Sequence, residues 1–184
     1  MSRKILSSFL LAACCVSGLT HAENVKLGHV TFLATTNVKM FSFKGEVHEM
    51  QAKIQRSGNQ LTELEIRIPV NSIKTGMEIR DKHTVERIFT AADGSTPDIV
   101  YMADKSACTP GGAATVQSCV LDGKLTIRGQ QKPYPLTISL KDGTQVSGHA
   151  DINVLDFGVD PQLLEYTGIH VNKIAGVDFE VNLQ

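Results

Sequence analysis

Residues 70–89 read Val-Asn-Ser-Ile-Lys-Thr-Gly-Met-Glu-Ile-Arg-Asp-Lys-His-Thr-Val-Glu-Arg-Ile-Phe, and the spacing of apolar residues changes within them. Just before, Leu64, Ile66, Ile68 and Val70 alternate with Glu63, Glu65 and Arg67, the two-residue repeat of a half-buried strand. Inside the stretch, Val85, Ile88 and Phe89 fall at i, i+3 and i+4, one face of a short helix. Asp81 stands where a carboxylate would cap the first free amides, Lys82 and Glu86 form an i, i+4 pair, and Gly94 with Pro97 closes the excursion. One polar, helix-bearing insertion in an alternating chain reads as a lid or plug on one end of a β structure.

Outward from this stretch the chain stays strand-like. Upstream, Val30, Phe32 and Ala34 mark one strand, and Phe43, Gly45 and Val47 a second whose phase then moves to Met50, Ala52 and Ile54. A side-chain period of two cannot slip by one without a bulge or bend, which places one near His48 and Glu49. Ser57-Gly58-Asn59 turns the chain into the Leu64 strand. Downstream, residues 99–103 are apolar on both faces, so pattern alone does not orient them. Cys119, Leu121, Gly123, Leu125 and Ile127 then alternate with Asp122, Lys124, Thr126 and Arg128, and residues 129–132 turn into Tyr134, Leu136, Ile138 and Leu140. Asp142-Gly143 is a hairpin signal leading to Val146, Gly148, Ala150, Ile152 and Val154. Residues 161–166 suit one more helical turn before Val177, Phe179, Val181 and Leu183 end the chain. The expectation is an all-β fold, an eight-stranded antiparallel barrel with one or two short helices, because closure removes the open edges of such a sheet. Eight strands enclose a space that is either filled by side chains or holds one small ligand.

Residues 1–22 read as an export signal. Arg3 and Lys4 precede an apolar run over residues 5–19, and Thr20-His21-Ala22 is a small-x-small cleavage site. The run is short of the roughly 20 residues that span a bilayer. Leu11-Ala12-Ala13-Cys14 also has the form of a lipobox, so cleavage after Ala22 and lipidation at Cys14 both stand as readings. Removing 22 residues from 184 leaves 162, one domain over residues 23–184. With Arg3 and Lys4 gone, 16 basic residues face 19 acidic ones, and no cluster of Lys and Arg offers to neutralise phosphates. Nucleic acid is thereby excluded as a partner class. Periplasmic export fits the cysteines as well. Cys108 and Cys119 bracket the turn-rich residues 109–114, and an oxidising compartment lets them pair across that hairpin.

Signals for catalysis are thin. No Gly-x-Ser-x-Gly and no phosphate-cradling glycine loop followed by Lys occurs, and His29, His48, His83, His149 and His170 lack the spacing of metal ligands on one element. No catalytic residue, metal or obligatory cofactor is expected. The polar group that invites explanation is Ser72, Thr75, Arg80, Asp81 and His83. It reads either as a hydrogen-bonded corner where the strand leaves the sheet or as a polar collar at the mouth of a barrel.

The same residues carry a family resemblance. Ser72-Ile73-Lys74-Thr75-Gly76 followed by Arg80-Asp81-Lys82-His83, then Phe89, Pro97 and Ile99-Val100-Tyr101, resembles the central signature of YceI-like proteins. Leu121-Asp122-Gly123-Lys124-Leu125-Thr126-Ile127-Arg128-Gly129 with Lys132-Pro133 and Leu136 resembles their second signature. Asp156-Phe157-Gly158 and Val177-Asp178-Phe179-Glu180-Val181 are similar to their last strands. The family's Asp-x-x-His-Ser element is not present between Glu23 and Phe43.

The resemblance implies a lipocalin-like periplasmic barrel without catalytic activity, whose apolar interior holds a polyisoprenoid such as a polyprenyl lipid or the tail of an isoprenoid quinone. The wall of such a cavity is expected to come from Leu64, Ile66 and Ile68 on one strand and Tyr101 on the next. Leu125 and Ile127, then Leu136 and Ile138, follow from the middle of the chain. Ala150, Ile152 and Val154, with Val177 and Phe179, complete it. The alternative is a filled barrel serving as an envelope interaction module, for example beside a membrane redox protein.

Overall fold

The alternating runs form strands that join in one curled antiparallel sheet, seen here in a computed structural model that describes residues 23–24, 26–57, 60–110, 116–142 and 144–182. In chain order the strands are β1 (Glu23–Asn24), β2 (Lys26–Thr36), β3 (Phe43–Val47), β4 (Gln51–Ser57), β5 (Gln60–Ile68) and β6 (Ile73–Lys74). After α1 (Glu78–Thr84) come β7 (Ile99–Pro110), β8 (Val116–Ile127), β9 (Gln130–Pro133), β10 (Leu136–Lys141), β11 (Gln145–Asn153), β12 (Glu165–Tyr166) and β13 (Ile169–Asn182). Their spatial order is β1-β4-β5-β7-β8-β10-β11-β13-β2-β3-β6, with β9 added to β8 and β12 to β13. The signal segment, Gly58 and Asn59 of the first turn, residues 111–114 of the cysteine hairpin, Gly143 and Leu183 lie outside the described residues.

Two expectations are corrected. The sheet has 13 strands among the described residues, not eight. The second alternating run breaks at residues 48–50 into β3, which pairs with β2, and β4, which pairs with β5. Four further strands, β1, β6, β9 and β12, are only two to four residues long. Nor does the ladder close on itself, because it ends at β1 and β6. The chain bridges that seam: the His48 amide donates to the Ser72 carbonyl at 2.9 Å, and the Ser72 hydroxyl reaches the carbonyls of Glu49 at 3.0 Å and Pro69 at 2.7 Å.

Local departures follow the same logic. Asp81 does not cap α1, whose N-cap is Met77 in extended backbone, and it lies inside the helix instead. A π-helical turn, Val85–Phe89, follows α1 directly. Residues 129–132 are not a simple turn. Arg128 and Gly129, both at positive φ, reverse the chain so that β9 folds back on β8. Val154 has left the strand and opens a 3-10 turn, Val154–Phe157.

Register settles what pattern left open. Tyr101 pairs with Leu125 and both point inward, while Met102 faces out. One end of the sheet is filled. Ile54, Leu64, Ala103, Cys119, Leu121 and Ile138 meet there with almost no exposed surface. Cys108 and Cys119 are direct cross-strand partners and form a disulfide, Cα to Cα 4.0 Å.

Candidate functional site: a two-chamber apolar lumen

The inward residues of β2, β3, β5, β7, β8, β11 and β13 do not fill the other end. Two cavities of about 160 and 110 Å3 lie there, sharing Val30, Ile68, Ile99, Ile152 and Val177 as wall residues. Each strand supplies every second side chain to this wall, so the lining is aliphatic and aromatic almost throughout.

The outer chamber is capped by the insertion. Thr84, at the end of α1, and Ile88 and Phe89, in the π turn, line it opposite Leu164 and Val171. The turn is closed by the Thr90 amide and hydroxyl, both donating to the Val85 carbonyl at 2.9 and 3.0 Å. Asp81 anchors the lid: its Oδ1 accepts from the Thr75 amide at 2.7 Å and the Thr75 hydroxyl at 2.6 Å. Burial pushes that carboxyl up, but the two bonds from Thr75, helped by the charges of Lys74 and Arg80, outweigh it and hold the pKa below the usual carboxylate range. Arg80 stacks its guanidinium over the Phe43 ring, 4.6 Å from its centroid. His83 is half-buried on α1. Ser72 belongs to the seam described above. The polar group is therefore a hydrogen-bonded corner that fixes lid to sheet, and none of its five members lines either cavity.

Two tyrosines line the inner chamber. Tyr134 donates to the Asp151 carbonyl at 2.9 Å. Tyr101 is 7% exposed, and its hydroxyl has no partner among the described residues. Burial, reinforced by the charge of Asp122, pushes its pKa well above the ordinary tyrosine value. The ring packs across Gly123, where an added Cβ would collide with the hydroxyl oxygen.

Of the expected wall residues, Ile66, Tyr101, Leu125, Leu136, Ala150 and Phe179 line the inner chamber. Ile127 and Val154 line the outer one, and Ile68, Ile152 and Val177 line both. Leu64 and Ile138 do not reach the lumen. They face inward but sit lower, in the filled core. Wall residues not anticipated include Val30, Phe32 and Ala34 on β2, Phe43 and Val47 on β3, and Leu164 beyond β11. The alternation of β2 and β3 was the signal available for them.

No Asp, Glu, His, Lys, Arg or Cys lines either cavity among the described residues. Among the described residues no group of three or more His, Cys, Asp or Glu is placed to hold a metal ion. His149 lies on the outer face, its Nδ1 2.7 Å from Asp178 and Nε2 3.2 Å from Asp151. Those bonds raise its pKa, Asp178 contributing more than Asp151.

The YceI-like domain model matches residues 22–184. Among solved structures, a polyisoprenoid binding domain from Saccharophagus degradans implicated in plant cell wall breakdown is 13% identical, with TM-score 0.69 over 89% of this chain and 98% of that one. BcnA of Burkholderia cenocepacia is 16% identical, TM-score 0.62, covering 84% and 94%. A YceI protein of Campylobacter jejuni is 19% identical, TM-score 0.53, covering 98% and 99%. None of the curated protein sequences matches the chain.

Proposed function

As the chain belongs to the YceI-like domain family, we propose that it is a non-enzymatic holder of an isoprenoid lipid, a polyprenyl chain or the tail of an isoprenoid quinone, in its two-chamber lumen. The observation that carries this reading is the lumen itself, walled by aliphatic and aromatic residues and lidded by the α1 insertion. The Saccharophagus degradans domain with the same fold is a polyisoprenoid binder, which supports the ligand class. Export through residues 1–22 would place the protein in the periplasm, where such a ligand needs cover to cross water. The reading requires no membrane redox partner.

Size and energy limit the mode of binding. An apolar cavity of about 150 Å3 takes a benzene-sized molecule. Chambers of about 160 and 110 Å3 thus admit a short run of isoprene units, and a longer chain requires the shared wall residues or the lid to move. Each unit offers roughly 3 to 4 kcal/mol of gross transfer energy. Ordering of the chain and competition from the bilayer consume most of it, so affinity is moderate, as suits transport or sequestration.

Ala150 tests the assignment. It lines the inner chamber without filling it, and Phe at this position occupies the space an isoprene unit would take. Titrated with a polyprenol, Ala150→Phe should keep the far-ultraviolet and thermal signature of a folded sheet while losing at least ten-fold in affinity. A folded Ala150→Phe protein that binds like the parent would remove the inner chamber from the site.

A further inference from the structure

The lid end of the sheet exposes side chains that a folded domain ordinarily covers. In the loop between β2 and β3, Met40 is 81% exposed, and Val38 and Phe41 are exposed beside it. Met77 and Ile79, at the start of α1, are exposed as well. The two groups meet through Arg80, whose guanidinium lies over Phe43 and whose Nη2 is 3.8 Å from the Met77 sulfur. The loop is held in place by Asn37. Its amide donates to the His170 carbonyl at 3.0 Å, its Nδ2 donates to the Gly168 carbonyl at 3.2 Å, and its Oδ1 accepts from the His170 amide at 2.9 Å. Five apolar side chains are thus exposed, on two segments, at the end of the sheet where Ala34, Phe43, Ile88, Leu164 and Val171 line the outer chamber.

Charge selects the occupant. Lys39 and Lys44 are exposed on either side of Met40 and Phe41, no acidic residue occurs from 37 to 44, and neither lysine is ion-paired among the described residues. The α1 half adds one exposed carboxylate, Glu78 between Met77 and Ile79, against Lys39, Lys44 and Arg80, so a second copy docked here about a two-fold axis would still set one net positive surface against another. A bilayer with anionic headgroups satisfies both features at once, taking Met and Phe into the headgroup and acyl boundary and the lysines onto phosphates.

We propose that the loop between β2 and β3, with Lys44 beside it on β3, and the start of α1 form a membrane-docking rim, which seats the mouth of the lumen on an anionic bilayer so that an apolar ligand moves between membrane and cavity without entering water. The rim deepens the isoprenoid-holding reading and rests on it. Docking itself is measured independently of any ligand.

The full protein is sedimented with vesicles of phosphatidylcholine alone or of equal parts phosphatidylcholine and phosphatidylglycerol. The parent should bind the anionic vesicles preferentially, and less as salt is raised. Met40→Ser with Phe41→Ser should weaken that binding at least about ten-fold, through lost apolar burial. Lys39→Gln should weaken it about five-fold. None of these residues lines the lumen, so both variants should fold as the parent does and take up detergent-dispersed polyprenol equally well. A parent that ignores anionic vesicles, or a double serine variant that binds them as the parent does, overturns the proposal. So does a parent that sediments as a dimer dispersed by the same two substitutions. Vesicle binding without polyprenol uptake would leave docking standing and sink the ligand reading, and uptake without vesicle binding would do the reverse.

Discussion

The two ends of one sheet are built from the same strands and the same alternation, yet one is solid and the other hollow. At the solid end Leu121 is 0% exposed and packs with Ile54, Leu64 and Ile138, and the disulfide fastens β7 to β8. At the hollow end the inward side chains of β2, β5, β11 and β13 stop short of one another, and the insertion after β6 covers the gap. What separates the ends is what crosses the lumen: opposed large aliphatics at one, and at the other a lid held from outside by Thr75, Asp81 and Arg80.

Truncation to alanine at each end should expose the difference. Leu121→Ala opens a cavity in a fully packed site and should cost about 3 to 5 kcal/mol in urea unfolding, whereas Ile152→Ala, whose side chain already faces a void, should cost about 2 kcal/mol. Equal losses would mean that the lumen is not hollow in solution. Reducing the disulfide sharpens the contrast at the solid end. Opening a link between residues 11 apart should cost roughly 3 kcal/mol in the chain-entropy model, read as a lower denaturant midpoint, with little change in ligand uptake.

The lid should give the smallest effect, and one that depends on pH. The carboxyl of Asp81 titrates lower folded than unfolded, so its contribution is complete above the ordinary carboxylate range and fades as pH falls through the folded value. Asp81→Ala should cost about 1 kcal/mol at neutral pH, in the range of lost helix-capping acceptors. In thermal melts across pH the parent's advantage over this variant should vanish in acid. A constant gap would show that the Thr75 contacts do not require the charge.

The same contrast explains what could be read in the sequence. Period two named the long strands and their inward faces, and the phase slip after Val47 located the seam at residues 48–50, because a pleated strand has only two sides. Height along the sheet leaves no trace in that period. Leu64 and Ile66 are neighbours on one face, yet Leu64 is in the core and Ile66 on the lumen wall. The two-residue strands β1, β6 and β12 are too short to show alternation, and Tyr101 was oriented only by its partner Leu125. Asp81 was misplaced because its partners, the amide and hydroxyl of Thr75, precede the helix rather than begin it. The family, by contrast, was legible in the two signatures, since they record side chains fixed by this corner and by β8.

The central claim, that the hollow end holds an isoprenoid lipid, is tested most directly by native mass spectrometry of the protein exported in a bacterial host and purified without detergent. A stoichiometric apolar adduct, removed by organic extraction and missing from Ala150→Phe, is the predicted result. A parent that flies bare, and stays bare after incubation with polyprenol, would contradict it.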